Sequence, residues 1–262
     1  MAGTVSVEPA DGGVVRVTLD HDGKFNAMSR AMWRSLRSVF ADIQGDASAR
    51  CVVLRGQGGH FCAGGDIAEY ADFRFEESSL RDFHENDVWG GLQAVLDCDV
   101  PIIAQIDGNC MGAGVEIASC CDIRIASDTA RFGAPIAKLG FPMAPREAAL
   151  VMRAVGELTA REMLLSAVVL DAPEMHRRGF LNQVVAAPAL DAALAAYVER
   201  MRPLAPQAAR MNKQTFRALA PVVIDNGTTK LIANAYLYAS SAEHVEGVRA
   251  FTEKRPPRFG GD

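Results

Sequence analysis

The segment Ile106-Asp-Gly-Asn-Cys-Met-Gly-Ala-Gly-Val-Glu116 leads from a strand-like run into a helix-like run through a turn of small residues. A second turn of this kind, His60-Phe-Cys-Ala-Gly-Gly-Asp66, also follows a strand-like run. Small residues let the backbone approach a ligand, and N–H groups at the end of a strand and in the first turn of a helix lack regular partners. The two turns can point such N–H groups at one carbonyl oxygen. The pair therefore predicts a backbone oxyanion hole and chemistry that runs through an enolate or tetrahedral oxyanion.

Strand-like and helix-like runs alternate through the first half of the chain. The alternation Val14-Val-Arg-Val-Thr-Leu19 is typical of a strand, and Ser29 then precedes apolar residues at helical spacing. Further strand-like runs cover 51–55, 101–106 and 123–126, and further helix-like runs cover 80–96 and 115–121. Such alternation is typical of layered proteins, so we predict the α/β fold class.

Helical patterns dominate the second half. Successive helices are expected to start at Pro145, Thr159 and Asp171, and the pattern beyond them is almost wholly helical. We therefore predict a core over residues 1–199 and a helical region over residues 200–262. This region would pack on the core or on a neighbouring subunit, because it would otherwise expose the apolar side chains of Tyr236, Leu237, Val245, Val248 and Phe251.

Composition narrows the class of partner. The 262 residues carry a formal net charge of -5, which gives no electrostatic reason to expect nucleic acid as a partner. Because the net charge is negative, an anionic ligand would have to be held by local cations. No apolar run approaches the roughly 18 residues that span a bilayer, and the N-terminal residues show neither a signal-peptide nor a presequence pattern. We expect a cytoplasmic protein.

The six cysteines show no CxxC spacing and no clustered histidines, so no metal site is expected. Cys62 and Cys110 lie inside the two glycine turns, where a reactive thiol is conceivable. No histidine follows either of them at a spacing that suggests a Cys-His nucleophile. We therefore prefer to interpret them as small packing residues.

Linked segments along the whole chain resemble the crotonase, or enoyl-CoA hydratase/isomerase, family. They are Phe25-Asn-Ala-Met28, Phe61-Cys-Ala-Gly-Gly-Asp66, Ile106 to Glu116, Cys121-Asp-Ile-Arg-Ile-Ala126, Phe132-Gly-Ala-Pro135, Leu139-Gly140, Asp171 to Gly179, Asn182-Gln-Val-Val185 and Glu246 to Pro256. Their common order and spacing make the resemblance specific, whereas one glycine turn would not. The resemblance implies a spiral of ββα units with a C-terminal helical trimerisation region, assembled as a homotrimer or dimer of trimers. It also implies acyl-CoA substrates and no separate cofactor, because coenzyme A is part of the substrate.

The resemblance further implies roles for three residues. Ala63 and Ala113 would supply the two N–H groups of the oxyanion hole, and Glu116 would transfer protons. Ala113 stands where the family usually has glycine, and the hole survives this change if Ala113 has a negative φ. Glu116 falls in the first turn of a helix, where the helix dipole alone could also favour a glutamate.

The second glutamate of the family's hydratases is absent. The family places it directly after the position of Pro135, where this chain has Ile136, and isoleucine can neither activate water nor deliver a proton. Glu147 could replace it from the altered segment 141–147, although we prefer a solvated glutamate in a first helical turn there. Weaker candidates, all expected at the surface, are Glu69, Asp72 and His84.

For the substrate and its CoA moiety, the resemblance implies a set that combines two lysines with residues of the glycine turns and a few others. The set is Lys24, Ala27, Ala63, Gly64, Gly65, Asp66, Ile67, Gly112, Ile136, Phe251 and Lys254. Lysine suits phosphate groups, and Lys254 would come from a neighbouring subunit. Both lysines could equally be exposed charges without a ligand.

A single carboxylate suits proton relocation better than hydration, because one base that returns its proton as an acid is sufficient for moving a double bond. The sequence therefore favours an acyl-CoA enzyme of the hydratase/isomerase type with isomerase-like proton transfer by Glu116. Two alternatives stay open. One is a thioester hydrolase or decarboxylase of the same fold, and the other is a non-catalytic acyl-CoA-binding homologue, as Ile136 would permit.

Overall fold

The computed structural model describes residues 2–219 and 231–259. Among them, a larger sheet has six strands in the order β1-β2-β3-β4-β6-β9. Their bounds are Thr4–Ala10 (β1), Val14–Asp20 (β2), Cys51–Gly56 (β3), Ile102–Ile106 (β4), Ile123–Ser127 (β6) and Gln183–Val185 (β9). β1 pairs antiparallel with β2, and the other neighbours pair in parallel. Parallel neighbours need long crossover connections, which is why helices separate most of these strands along the chain.

A smaller sheet joins three short strands in the order β5-β7-β8 within the described ranges. They are β5 (Asn109–Met111), β7 (Arg131–Gly133) and β8 (Val169–Asp171). A single parallel bridge between Cys62 and Cys110 links β5 to the turn that follows β3. The two glycine turns therefore start side by side.

Helices cover the sheets and make up most of the second half. Their bounds are Arg30–Gly45 (α1), Glu77–Asp82 (α2), Trp89–Asp97 (α3), Ala113–Cys120 (α4), Pro145–Val155 (α5), Glu157–Ser166 (α6), Ala172–Arg177 (α7), Leu190–Met201 (α8), Pro206–Leu219 (α9) and Ala242–Thr252 (α10). A π-helical turn at Phe83–Val88 joins α2 to α3, so the helix expected over 80–96 is present. Ser29 caps α1 as expected, since its Oγ accepts a hydrogen bond from the Met32 N–H at 3.2 Å.

Two local features differ from the sequence-based prediction. β1 was not predicted. Its hairpin with β2 places it at the edge of the sheet. Helix α6 begins at Glu157 rather than at Thr159, because Gly156 adopts a positive φ of 84° and breaks the chain sharply after α5. Asp171 does cap α7, where its side chain accepts a hydrogen bond from the Glu174 N–H at 2.9 Å.

Beyond Met201 the regular elements of the described residues are helical. Tyr236 and Val248 are buried, whereas Leu237 is 61% exposed and Phe251 56% exposed. The predicted apolar face is therefore only partly covered within one chain. No helix in the described ranges is both long enough and apolar enough to cross a membrane.

Candidate active site

The two glycine turns lie against each other, as the sequence predicted. The Cys62 N–H donates to the Asn109 carbonyl at 2.8 Å, and the Met111 N–H donates to the Cys62 carbonyl at 2.9 Å. A Cβ atom added to Gly114 would lie 2.5 Å from the Cys62 carbonyl oxygen. Only glycine allows helix α4 to start this close to the first turn.

The N–H groups of these turns divide into engaged and free donors. The Ala63 N–H donates to the Phe25 carbonyl at 3.0 Å. It is therefore not available to a ligand, and the assignment of Ala63 to the oxyanion hole is corrected. Two residues further on, the Gly65 N–H donates to no described residue, and the same holds for the Ala113 N–H at the start of α4.

Backbone conformation explains why the Gly65 N–H is free when the Ala63 N–H is engaged. Gly64 has a φ of 116°, which L-residues rarely adopt, and this turns the following peptide away from the Phe25 segment. The spacing of small residues in a sequence does not reveal which peptide is turned. Ala113 has no positive φ, so the condition for replacing the family's glycine there is met.

Glu116 lies in the first turn of α4, three residues after Ala113, and remains partly exposed. No described residue donates a hydrogen bond to its carboxylate. Burial, and after it repulsion by Glu147, raise the pKa of Glu116, and attraction to Arg74 opposes them, so that the pKa is about 8. A carboxyl group with a pKa close to neutral pH can both give and take a proton.

Glu147 lies inside the protein, so the prediction of a solvated glutamate is wrong. It is 2% exposed, and its Oε1 lies 3.2 Å from His84 Nδ1. The buried residues of α5 include Glu147, Leu150 and Val151, which lie on one side of a helix. This spacing is the signal in the sequence that could have placed Glu147 on the inner face.

His84 is buried as well, so its predicted place at the surface is also wrong. Burial lowers the pKa of His84, although the hydrogen bond to Glu147 opposes this shift. A neutral imidazole fits the contacts if Nδ1–H donates to Glu147 and Nε2 accepts from Arg74 Nη2 at 3.5 Å. Asp72 is exposed as expected, and Glu69 accepts the Arg30 N–H at 2.9 Å.

Tyr70 and Arg74 are further polar residues of this region, and the sequence analysis did not identify them. The Arg74 guanidinium lies between two rings, 4.1 Å from the centroid of Tyr70 and 4.0 Å from that of Phe141. A Cβ atom added to Gly65 would lie 2.2 Å from the Tyr70 hydroxyl. Tyr70 therefore reaches from the first glycine turn to the buried arginine.

The residues predicted to bind CoA fall into two groups. In the first group, Lys24 Nζ forms an ion pair with Asp66 at 2.6 Å. Ala27 is buried, and the next residue, Met28, forms a parallel β-bridge with Gly65. In the second, Phe251 and Lys254 are exposed at and after the end of α10.

Helix α10 lies against the segment that carries Ile136. Ile136 is partly buried at the start of a short 3₁₀ helix, Ile136–Leu139. A Cβ atom added to Gly247 of α10 would lie 2.2 Å from the Leu139 carbonyl carbon. The C-terminal helix therefore supports the loop in which the family's second glutamate is missing.

The two thiols in the turns are packing groups. Burial raises the pKa of Cys62 to about 12 and also raises that of Cys110. Both thiols therefore stay protonated at neutral pH, which disfavours the alternative of a cysteine nucleophile.

Comparison with known proteins agrees with this architecture over the whole chain. Residues 10–262 match the family model described as enoyl-CoA hydratase/isomerase. A probable enoyl-CoA hydratase of Mycobacterium bovis is 31% identical over 98% of this chain and 97% of its own length. The 2,3-dehydroadipyl-CoA hydratase of Escherichia coli is 32% identical over 95% of each chain.

A solved structure gives the same answer for the fold. The enoyl-CoA hydratase/carnithine racemase from Magnetospirillum magneticum superposes with a TM-score of 0.79 at 33% identity, covering 98% of this chain and 97% of that one. The chain therefore belongs to the enoyl-CoA hydratase/isomerase family of the crotonase superfamily and has the crotonase fold.

Proposed function

We propose that this protein transfers a proton at the α-carbon of an acyl-CoA thioester and so moves its double bond. In this proposal Gly65 and Ala113 hold the thioester oxygen, and Glu116 carries the proton. The observation that supports it most strongly is the Glu116 carboxyl group, which has no hydrogen-bonding partner among the described residues and has a pKa of about 8. It lies one helical turn from a free N–H group.

The two N–H groups stabilise the enolate. When Glu116 removes a proton from the α-carbon, negative charge moves to the thioester oxygen. Two fixed N–H donors stabilise this charge as it develops and so lower the barrier. Ala113 opens helix α4, so the positive end of the helix dipole adds to this effect. Glu116 then returns its proton to the γ-carbon, and the double bond has moved by one position. Coenzyme A enters as part of the substrate, and this step needs no other cofactor.

Hydration is a second candidate because of the position of Glu147. Adding water to an enoyl thioester needs one group that activates water and one that delivers a proton. Glu147 is buried and close enough to Glu116 to raise its pKa. In this alternative Glu147 takes the role that Ile136 cannot fill.

The plateau rate of Glu147→Gln distinguishes the two reactions, and its pH dependence tests whether Glu147 acts on Glu116. Glu116 acts as a base only when ionised, so kcat/KM of the unmodified protein should rise with pH through about 8. Removing the charge of Glu147 removes a repulsion, so the rising limb should move to lower pH. If the protein is an isomerase, the plateau rate of Glu147→Gln should stay within about threefold of that of the unmodified protein. If it is a hydratase that uses Glu147, the plateau rate of hydration should fall by about 10²- to 10⁴-fold.

The matched control is Glu157→Gln, an exposed glutamate on α6 that pairs with Arg161. It should leave the limb in place. An unshifted limb in Glu147→Gln would show that Glu147 does not act on the group that titrates.

We propose that the CoA moiety is bound by the first glycine turn together with Lys24 and Ala27. Lys254 and Phe251 of an adjacent subunit would complete this site. The Lys24–Asp66 ion pair supports this location, since it places a cation at the edge of the turn. Lys24 is 42% exposed in its side chain and so can meet a phosphate group.

We propose that the protein assembles as a trimer or a dimer of trimers. Exposed apolar side chains on α6, α9 and the C-terminal region support an interface, namely Leu158, Leu165, Met211, Phe216, Leu219, Leu237 and Phe251. Sedimentation analysis at micromolar concentration should give roughly three or six times the 28.1 kDa chain mass. A monomer would contradict this assembly.

A further inference from the structure

Arg74 is a buried cation with unused hydrogen-bonding capacity. It is 1% exposed, and its Nε finds no hydrogen-bond acceptor in the described part of the chain. Its contacts run through Nη2, which lies 3.2 Å from the Tyr238 hydroxyl and 3.5 Å from His84 Nε2. Leaving a charged donor unpaired in the interior is unfavourable, so a ligand that offers Arg74 Nε an acceptor would be stabilised there.

The described residues also give Arg74 no direct carboxylate partner. Glu147 reaches it only through the neutral ring of His84. Buried charges in proteins are normally paired directly. The Tyr238 hydroxyl, which accepts from Arg74, donates to no described residue and is a second available donor beside the guanidinium.

The location of Arg74 relates these donors to the substrate. Its guanidinium stacks on Tyr70, whose hydroxyl lies against Gly65 in the first glycine turn. Its other face stacks on Phe141, at the start of the segment 141–147 that leads to Glu147. Arg74 is also close enough to Glu116 for their charges to attract, so these donors lie near the residue that would act on the acyl chain.

Resting on the proposed function, we propose that the substrate's acyl chain ends in a carboxylate, and that Arg74 Nε and the Tyr238 hydroxyl bind it. The terminal carboxylate of a dicarboxylic acyl thioester accepts a hydrogen bond from Arg74 Nε, whereas a simple alkyl chain leaves this donor unpaired. Sites built to hydrogen-bond a polar group reject analogues that lack it far more strongly than apolar pockets distinguish chain lengths. Arg74 is then a specificity-determining residue.

Affinities of saturated CoA thioesters test this binding without depending on catalysis. Isothermal titration calorimetry compares glutaryl-CoA with pentanoyl-CoA, and adipyl-CoA with hexanoyl-CoA, so that each pair has the same number of acyl carbons. The unmodified protein should bind one of the dicarboxylic members at least about tenfold more tightly than its partner. Equal binding within both pairs, or tighter binding of the alkyl members, would overturn the proposal.

Two variants attribute the preference to Arg74. Arg74→Met keeps length and apolar contact with the two rings but removes the charge, so the preference should disappear while pentanoyl-CoA binding stays within about threefold. Arg74→Lys keeps the charge and should retain part of the preference. Arg81→Gln, a half-exposed arginine paired with Glu77, is the matched control and should keep it in full.

A preference that survives in folded Arg74→Met would assign it to another residue and overturn the proposal. If circular dichroism shows that Arg74→Met does not fold, the ligand pairs on the unmodified protein and on Arg74→Lys still decide. Failure of every CoA thioester to bind would contradict the proposed function itself. Binding of both pairs without a preference would overturn the proposal of a carboxylate-ended substrate and leave the proposed function in place.

Discussion

Glu116→Gln should lower turnover of a 3-enoyl-CoA by about 10²- to 10⁴-fold, because the amide keeps the shape of glutamate but cannot act as a base at neutral pH. Binding of acetyl-CoA should change little, since Glu116 acts on the proton and not on the nucleotide. The rates are measured at saturating substrate, and acetyl-CoA affinity by calorimetry. The control is again Glu157→Gln, which changes an exposed glutamate in the same way.

Turnover by Glu116→Gln within about threefold of the unmodified protein would remove Glu116 from the mechanism. Glu147 would then be the leading candidate, because it is a buried carboxylate close enough to Glu116 to raise its pKa.

Ala113→Pro tests the oxyanion hole by deleting a single N–H group. Ala113 is the first residue of α4, and proline is well tolerated at this position because its missing N–H has no helical partner. Loss of one oxyanion donor typically costs about 10²- to 10³-fold in kcat. We expect this loss in the rate with a 3-enoyl-CoA, and little change in the melting temperature.

Ala113→Gly is the companion variant, because it keeps the N–H group and removes only a methyl group. It should retain most of the turnover. If Ala113→Pro is folded and as active as Ala113→Gly, the N–H of residue 113 does not hold the thioester oxygen.

The turns could be predicted from the sequence because their chemistry is local. Small residues that follow strands and precede a helix indicate where the backbone can meet a ligand, and the contact between Cys62 and Asn109 follows from the pairing of their segments. The choice between Ala63 and Gly65 could not be predicted in the same way. It depends on the positive φ of Gly64, which either of the two glycines in the turn could have adopted.

The contact between His84 and Glu147 shows a different limit of prediction from sequence. His84 and Glu147 are far apart in sequence and meet because α5 packs its inner face against the helical segment that contains His84. The general preference of such residue types for the surface led to the wrong prediction for His84. For Glu147 the wrong prediction came from its place in the first turn of a helix, where glutamates are commonly solvated. Periodicity along α5 carried better information than residue type, since Glu147 shares a face with Leu150 and Val151.

Exchange of substrate hydrogen with solvent deuterium tests the central claim most directly. The unmodified protein is incubated in deuterated water with crotonyl-CoA and with a 3-enoyl-CoA, and the recovered thioesters are analysed by mass spectrometry and NMR. We predict deuterium at the α- or γ-carbon with the unmodified protein and no exchange above background with Glu116→Gln. No exchange by a folded protein that binds acetyl-CoA, or equal exchange by Glu116→Gln, would contradict proton transfer by Glu116 through a stabilised enolate.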